Sequence, residues 1–261
     1  IIDTSTHLKI IGRAGVGVDN IDVEAATEKG IVVVNSPCGN TIAAAEHTIA
    51  MMLSMARHIP EASKRLHEGH WDKKNLTGVE IFGKTLGVIG LGKIGSHVAK
   101  VAKAMGMNII VYDPFAREEI VKELDAKLVK DLKDFWHEPD FITIHVPKTK
   151  ETVDLINKDT IAQMKKGVRI VNCARGGVVN EKDLREALDN DYVAGAALDV
   201  FCDEKDITTS PLYGCEKNLV MTPHLGATTY EAQIRVAEDV ATQIKIVLQG
   251  GKTQNAVNKV Q

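Results

Sequence analysis

Along most of this chain, runs of consecutive apolar residues alternate with amphipathic stretches, and the alternation becomes regular from Lys84 onward. Thr85–Ile89, Asn108–Tyr112, Phe141–His145, Val168–Asn172, Ala194–Leu198 and Leu219–Met221 read as strands. Ile94–Met105, Arg117–Glu123, Leu132–Trp136, Asp159–Met164 and Glu181–Asp189 read as the helices between them. Strands that are apolar throughout are those covered on both faces. The pattern therefore predicts an α/β fold built on a doubly wound parallel sheet. Before Lys84 the elements are sparser, with strands at Leu8–Ile11 and Ile31–Val34 and helices at Val23–Lys29, Thr41–Arg57 and Glu61–Glu68. The Thr41–Arg57 helix is rich in Ala, Met and Ile on more than one face, which predicts burial against a domain or a second subunit. A last amphipathic helix, Thr229–Leu248, stops at Gly250-Gly251 and leaves a polar tail around Asn255-Ala256-Val257-Asn258.

Composition narrows the classes. The 261 residues suit one large domain or two ordinary ones. A formal charge of -3 gives no electrostatic footprint for nucleic acid. No apolar run approaches the ~20 residues that span a bilayer. Neither nucleic-acid nor membrane partners are expected, and no secretory signal is read. The four cysteines (Cys38, Cys173, Cys202, Cys215) lack metal or disulfide spacing, so a reducing, cytoplasmic setting and no metal are expected.

Candidate chemistry falls at the carboxyl ends of the strands, where ligands bind in open α/β sheets. Gly90-Leu91-Gly92-Lys93-Ile94-Gly95 follows one strand and opens a helix. In that context the glycines suit a dinucleotide: Gly90 for the tight turn, Gly92 for close approach of a pyrophosphate, Gly95 for helix–strand packing. The helix N-terminus supplies N–H groups and a positive dipole end. The next strand ends at Asp113, placed to take ribose hydroxyls and to repel a 2′-phosphate, which favours NAD over NADP. After Val168–Asn172 comes Cys173-Ala174-Arg175-Gly176-Gly177. An arginine fork there suits a planar carboxylate or α-keto acid, or else pairs with a surface acid. His224 follows the last strand, and Asp199, Asp203 and Glu204 follow its neighbour. A histidine oriented by a carboxylate is an acid/base arrangement, here on the same sheet edge as Arg175 and Glu204. His47, in the apolar helix, reads as a core or interface residue. His145 either borders the cofactor or packs.

These residues closely resemble the D-2-hydroxyacid dehydrogenase family, and most of all its phosphoglycerate-oxidising branch. Five segments carry the resemblance, in order over essentially the whole chain: Gly12 to Asn20, Gly90 to Gly95, Val171 to Gly177, Ala197 to Phe201 and Pro223 to Ala227. It implies that Arg175 binds the substrate carboxylate and carbonyl and that Glu204 and His224 form the acid/base dyad. It places Asp199 at the nicotinamide, Lys93 and Ile94 at the pyrophosphate, and Asp113 at the ribose. Val16, Val146, Cys173, Ala174, Arg175, His224, Gly226 and Ala227 would also border the cofactor. The glycine loop with Gly15 and Gly17 would offer N–H groups to the substrate carboxylate, and Arg13, Lys73 and Lys74 would supply cations for a substrate phosphate.

The implied reaction is NAD-dependent oxidation of a phosphorylated 2-hydroxy acid. Another D-2-hydroxyacid dehydrogenase, such as a glyoxylate/hydroxypyruvate reductase, and an NAD-sensing scaffold are the alternatives. The implied organisation is an NAD-binding domain over residues 40–227 and a second, smaller α/β substrate-binding domain from 1–39 plus 228–261. A homodimer through the Thr41–Arg57 helix is expected. The family pattern also has several tens of residues before Ile1, so the substrate domain is expected to be incomplete at its N-terminus. Longer relatives carry regulatory domains after Asn258, so serine feedback is not expected. Lys205 stands where the family usually has proline.

Overall fold

A computed structural model describes residues 1–260. In chain order its elements are β1 (Ile10–Arg13), α1 (Val23–Glu28), β2 (Val32–Asn35), α2 (Thr41–Ala56), α3 (Ile59–His67), β3 (Thr85–Ile89), α4 (Lys93–Ala104), β4 (Asn108–Tyr112), α5 (Glu118–Glu123) and β5 (Lys127–Val129). They continue with α6 (Leu132–Phe135), β6 (Phe141–Ile144), α7 (Lys158–Ile161), β7 (Val168–Asn172), α8 (Glu181–Asp189), β8 (Val193–Leu198), β9 (Leu219–Met221) and α9 (Tyr230–Leu248). The chain forms two compact units, one of residues 1–43 with the segment from Ala227 onward, the other of residues 44–226.

The larger unit is a seven-stranded parallel sheet in the order β5-β4-β3-β6-β7-β8-β9. Side chains alternate between its faces, as the period of a strand requires. Leu86, Val88, Ile109, Val111, Val171 and Ala197 pack on one side with residues of α2 and α4. Ile89, Ile110, Ile142, Ile170 and Ala196 pack on the other with residues of α6, α7 and α8. Two apolar layers on one sheet make it doubly wound, as the continuous apolar strands predict.

One element is new here and one open alternative is decided. The short strand β5 was not expected, because Lys127-Leu128-Val129 has only two apolar residues and is too brief to stand out. For α2, expected to bury against a domain or a second subunit, the domain is observed: Ala45, Ile49, Met51, Met52, Met55 and Ala56 are buried in the core of the larger unit. Ile42, Glu46 and Ala50 remain exposed on the far side.

In the smaller unit β1 and β2 pair in parallel around a core of Ala26, Ile31 and Val33. β1 lies two residues later than the apolar run suggested. Val240 of α9 lies against it at Gly12, where a Cβ would come within 2.5 Å of Val240 Cγ1. The polar tail is held rather than loose. Asn258 accepts from Val33 N–H at 2.7 Å and donates to Ile31 C=O at 2.9 Å, while Val257 N–H donates to Val33 C=O at 2.8 Å.

Candidate active site

The central crevice of the larger sheet opens between β3 and β6, where the strand order reverses. Gly90 has φ +92°, and a Cβ there would lie 2.6 Å from the carbonyl oxygen of His145 and 2.9 Å from Val146 Cγ1. A Cβ on Gly95 would lie 2.0 Å from Gly90 O. Neither position accepts a side chain. Gly92, in contrast, has open space where a Cβ would be and caps α4 without a side chain. The first turn of α4, with Lys93 and Ile94, therefore offers its N–H groups and dipole beside a bare backbone. Asp113 closes the cradle: Oδ2 accepts from Leu91 N–H at 2.7 Å and Oδ1 from Phe115 N–H at 2.8 Å. Lone pairs remain on both oxygens for ribose hydroxyls. Cradle, helix end and acid fit a dinucleotide. Beneath them, burial pushes the His145 imidazole down to about 4, so it is neutral. Its Nε2 meets Thr143 Oγ1 at 2.9 Å.

Two loops over, Asn172 shapes the turn that carries Arg175. It is 1% exposed; its Oδ1 accepts from Ala174 N–H and its Nδ2 donates to Arg175 C=O, both at 3.0 Å. Arg175 Nη1 donates to Ala174 C=O at 2.7 Å. Burial, with Asp199 adding to it, pushes the Cys173 thiol up to about 12, so it is no nucleophile. A Cβ on Gly176 would lie 1.8 Å from Phe201 O, so the arginine loop and the turn after β8 touch backbone to backbone.

His224 and Glu204 meet: Nδ1 and Oε2 are 2.8 Å apart, on half-exposed side chains. They sit at a cavity of about 370 Å³ lined also by Phe201, Ile207, Met221 and Pro223. His224 adopts φ +55°, unusual for a residue with a side chain. Its N–H donates to Asp199 C=O at 2.9 Å and to Thr222 C=O at 3.0 Å. Lys205 N–H donates to Asp203 Oδ1 at 2.9 Å, a turn-closing bond that a proline at that position would lack.

Asp199, expected at the nicotinamide, is fully buried and holds the turn after β9. It accepts from Thr222 Oγ1 at 2.6 Å and from the N–H groups of Leu225 and Gly226 at 2.8 Å, and His47 Nε2 lies 3.1 Å from Oδ1. Burial alone would raise this carboxyl, but the bonds from His47, Thr222 and Leu225 outweigh it and hold it below the ordinary carboxylate range. Asp199 braces the turn that presents His224. His47 and Thr222 belong to that brace, and sequence reading assigned neither to the site. Only the step Thr222-Pro223-His224 hinted that the residue before the proline was part of the turn.

The remaining expected residues belong to other segments of the chain. In the smaller unit Gly15 is buried at φ +147° and its carbonyl accepts from Ser36 N–H at 2.9 Å. Arg13 folds back on this glycine, donating from Nη1 to Ala14 C=O. Asn35 Nδ2 donates to Val16 C=O at 2.6 Å, Gly17 is partly exposed, and Ala227 begins the unit's second segment. In the larger unit Lys73 and Lys74 are exposed in the stretch after α3, where Lys74 C=O accepts from Arg65 at 3.1 Å. Among the described residues no group of His, Cys, Asp or Glu is arranged to hold a metal. No helix there is long and apolar enough to cross a membrane.

Residues 49–226 match the model of the D-isomer specific 2-hydroxyacid dehydrogenase NAD binding domain. The chain belongs to this family. The cofactor of a D-2-hydroxyacid dehydrogenase NAD-binding domain is NAD, and the glycine cradle with Asp113 fits it. Among curated relatives, the D-3-phosphoglycerate dehydrogenase of Synechocystis sp. is 57% identical over 99% of this chain and 46% of its own length. That of Methanocaldococcus jannaschii is 52% identical over 99% of this chain and 49% of its own. The chain thus spans about half the length of the curated relatives it matches. Two solved D-2-hydroxyacid dehydrogenases share the fold. The apo D-lactate dehydrogenase of Escherichia coli superimposes with a TM-score of 0.87 at 34% identity, over 96% of this chain and 78% of that one. The D-lactate dehydrogenase of Aquifex aeolicus, complexed with NAD and lactic acid, gives 0.88 at 33% identity, over 98% and 82%.

Proposed function

We propose that this protein oxidises D-3-phosphoglycerate at C2 to 3-phosphohydroxypyruvate, an entry step to serine. The observation that carries the reading is the His224–Glu204 contact on the sheet edge that also holds Arg175 and the Gly90–Gly95 cradle. The choice of substrate rests on the high identity to phosphoglycerate dehydrogenases, against 28–35% for the solved structures of other names.

NAD, when bound, accepts the hydride from C2. Every other task falls to the chain. Glu204 takes the Nδ1 proton of His224 in a hydrogen bond and so fixes the tautomer with Nε2 as acceptor. Nε2 takes the C2 hydroxyl proton as the carbonyl forms, and returns it in the reverse reaction. Arg175 holds the carboxylate and polarises the developing carbonyl oxygen. Asp113 holds the ribose, and the α4 N-terminus holds the pyrophosphate. Val146, Cys173 and Ala174 would border the cofactor. The smaller unit serves as the substrate domain, with its glycine loop at Gly15 and Gly17 for the substrate carboxylate; the cations for the phosphate are Arg13, Lys73 and Lys74. The protein acts in the cytoplasm as a homodimer whose contact surface includes α3 and the stretch after it, where Ile59, Leu66 and Trp71 are exposed.

The test is NADH formation from D-3-phosphoglycerate, with NAD binding followed by calorimetry in the same sample. His224→Ala should abolish turnover and spare NAD binding. Normal turnover in that variant overturns the acid/base assignment. Turnover of D-lactate or glyoxylate in preference to the phosphorylated acid moves the protein to another branch. Sedimentation as a monomer at micromolar concentration removes the dimer.

A further inference from the structure

We propose that Glu181 is a positioning residue for the acid/base pair, a buried carboxylate that pins both ends of the loop carrying Glu204. The proposal rests on the reading of His224 and Glu204 as that pair. Among the described residues only two carboxylate side chains are buried, Asp199 and Glu181. Burying a carboxylate is expensive unless strong donors meet it, so both positions call for an explanation. Asp199 braces the turn of His224. Glu181 stands in the same relation to the other half of the pair.

The geometry is specific. Glu181 is the first residue of α8, 7% exposed, where the helix dipole favours a negative charge. Its Oε1 accepts from the N–H of Cys202 at 2.6 Å. Its Oε2 accepts from the hydroxyl of Ser210, whose oxygen in turn accepts from Leu212 N–H at 3.2 Å. Glu204 lies between those two anchor points. The residues around it, Asp203 to Asp206, are all exposed and are folded by short-range bonds such as Thr208 N–H to Asp206 Oδ1 at 3.0 Å. Such bonds shape a loop without fixing it to the sheet. Glu181 supplies the fixing, on the turn whose Phe201 carbonyl already backs onto Gly176 of the arginine loop.

Three substitutions separate this role from a general structural one. Glu181→Ala removes both anchors, Ser210→Ala removes one, and Glu181→Gln keeps both, because its carbonyl accepts from Cys202 and its amide donates to Ser210. The first readout needs no turnover: the tautomer of His224 in the 15N-histidine-labelled chain at alkaline pH, its signals assigned by their loss in His224→Gln. Glu204→Ala should convert a single Nδ1–H tautomer into a mixture. Glu181→Ala should do the same, Ser210→Ala partly, and Glu181→Gln not at all. The second readout is turnover, expected to fall about ten- to a hundredfold in Glu181→Ala, the scale of a misplacement of about an ångström, with NAD affinity within about twofold of the parent.

A wild-type tautomer in Glu204→Ala defeats the dyad reading itself, whatever Glu181 does. A mixture in Glu204→Ala beside unchanged tautomer and turnover in Glu181→Ala leaves the dyad standing and overturns the proposal. If Glu181→Ala does not fold, Ser210→Ala decides: an unchanged tautomer there overturns the proposal.

Discussion

His145 makes the fold sensitive to acid in a way that one substitution isolates. Its partly buried imidazole lies against the glycine loop, where desolvation makes it titrate at about 4, against 6.5 for a solvated histidine. Between those values the unfolded chain holds a proton that the folded chain does not. Stability must therefore fall as pH drops through that window, and the group contributes no pH dependence above it. At about 1.4 kcal/mol per pH unit the full effect is about 3 kcal/mol, a large share of the ~5–15 kcal/mol that holds a domain together. Glutamine is the informative replacement, since its terminal amide reaches Thr143 as Nε2 does and does not titrate. Urea unfolding of the parent and His145→Gln would be followed by the fluorescence of Trp136, which is buried in the same unit. The stability difference between them, set by packing at pH 7.5, should shift by about 3 kcal/mol in favour of the variant by pH 4. Carboxylates that titrate nearby act on both proteins alike and cancel. Parallel curves, with a difference constant to within about 1 kcal/mol, refute the reasoning.

Gly95→Ala drives a Cβ into the Gly90 carbonyl; it should destabilise the larger unit by about 1–3 kcal/mol and abolish calorimetric NAD binding, and an alanine variant that binds normally breaks the account of the cradle. Asp113→Ala frees Leu91 N–H as well as the ribose site, so NAD affinity should fall more than tenfold and the exclusion of NADP should relax; an unchanged cofactor preference places the ribose elsewhere. Asp199→Asn replaces a charged acceptor of several bonds with a neutral one, at a cost of about 2–3 kcal/mol in urea. Because the Asp199 carboxyl titrates below its unfolded value, its stabilisation is present above the ordinary carboxylate range and lost as pH falls through the folded value. The variant should therefore approach the parent's stability in acid, and a gap that stays constant refutes the brace.

What could be read from the sequence, and what could not, divides along a physical line. The strands β3, β4, β7 and β9 are apolar runs bounded by polar or glycine breaks, and their limits were legible to the residue. Gly90 to Gly95 was legible because a glycine turn between strand and helix has few other uses. The pairing of His224 with Glu204 was anticipated from shared position on a sheet edge. The braces were not. Glu181 reads as an ordinary first-turn acid of a helix, and His47 as one polar residue in an apolar helix. Their partners, Ser210 and Thr222, are distant in sequence, and only the closed sheet brings them together. Burial of a polar side chain is a tertiary property, and no local pattern announces it. The neighbour of α2 stayed open between a domain and a second subunit for the same reason, since an apolar surface does not say what will cover it.

Successive amides aimed at one point form the kind of concavity that captures anions, and Leu225 and Gly226 aim theirs at Asp199. Here the captured anion is tethered to the chain. Salt cannot displace it, and no phosphate, sulfate or carboxylate from solution can settle there. His224, presented by the same turn, thus has no anion trap beside it in these amides. The imidazole is kept clear of the small ions that would otherwise compete for those N–H groups.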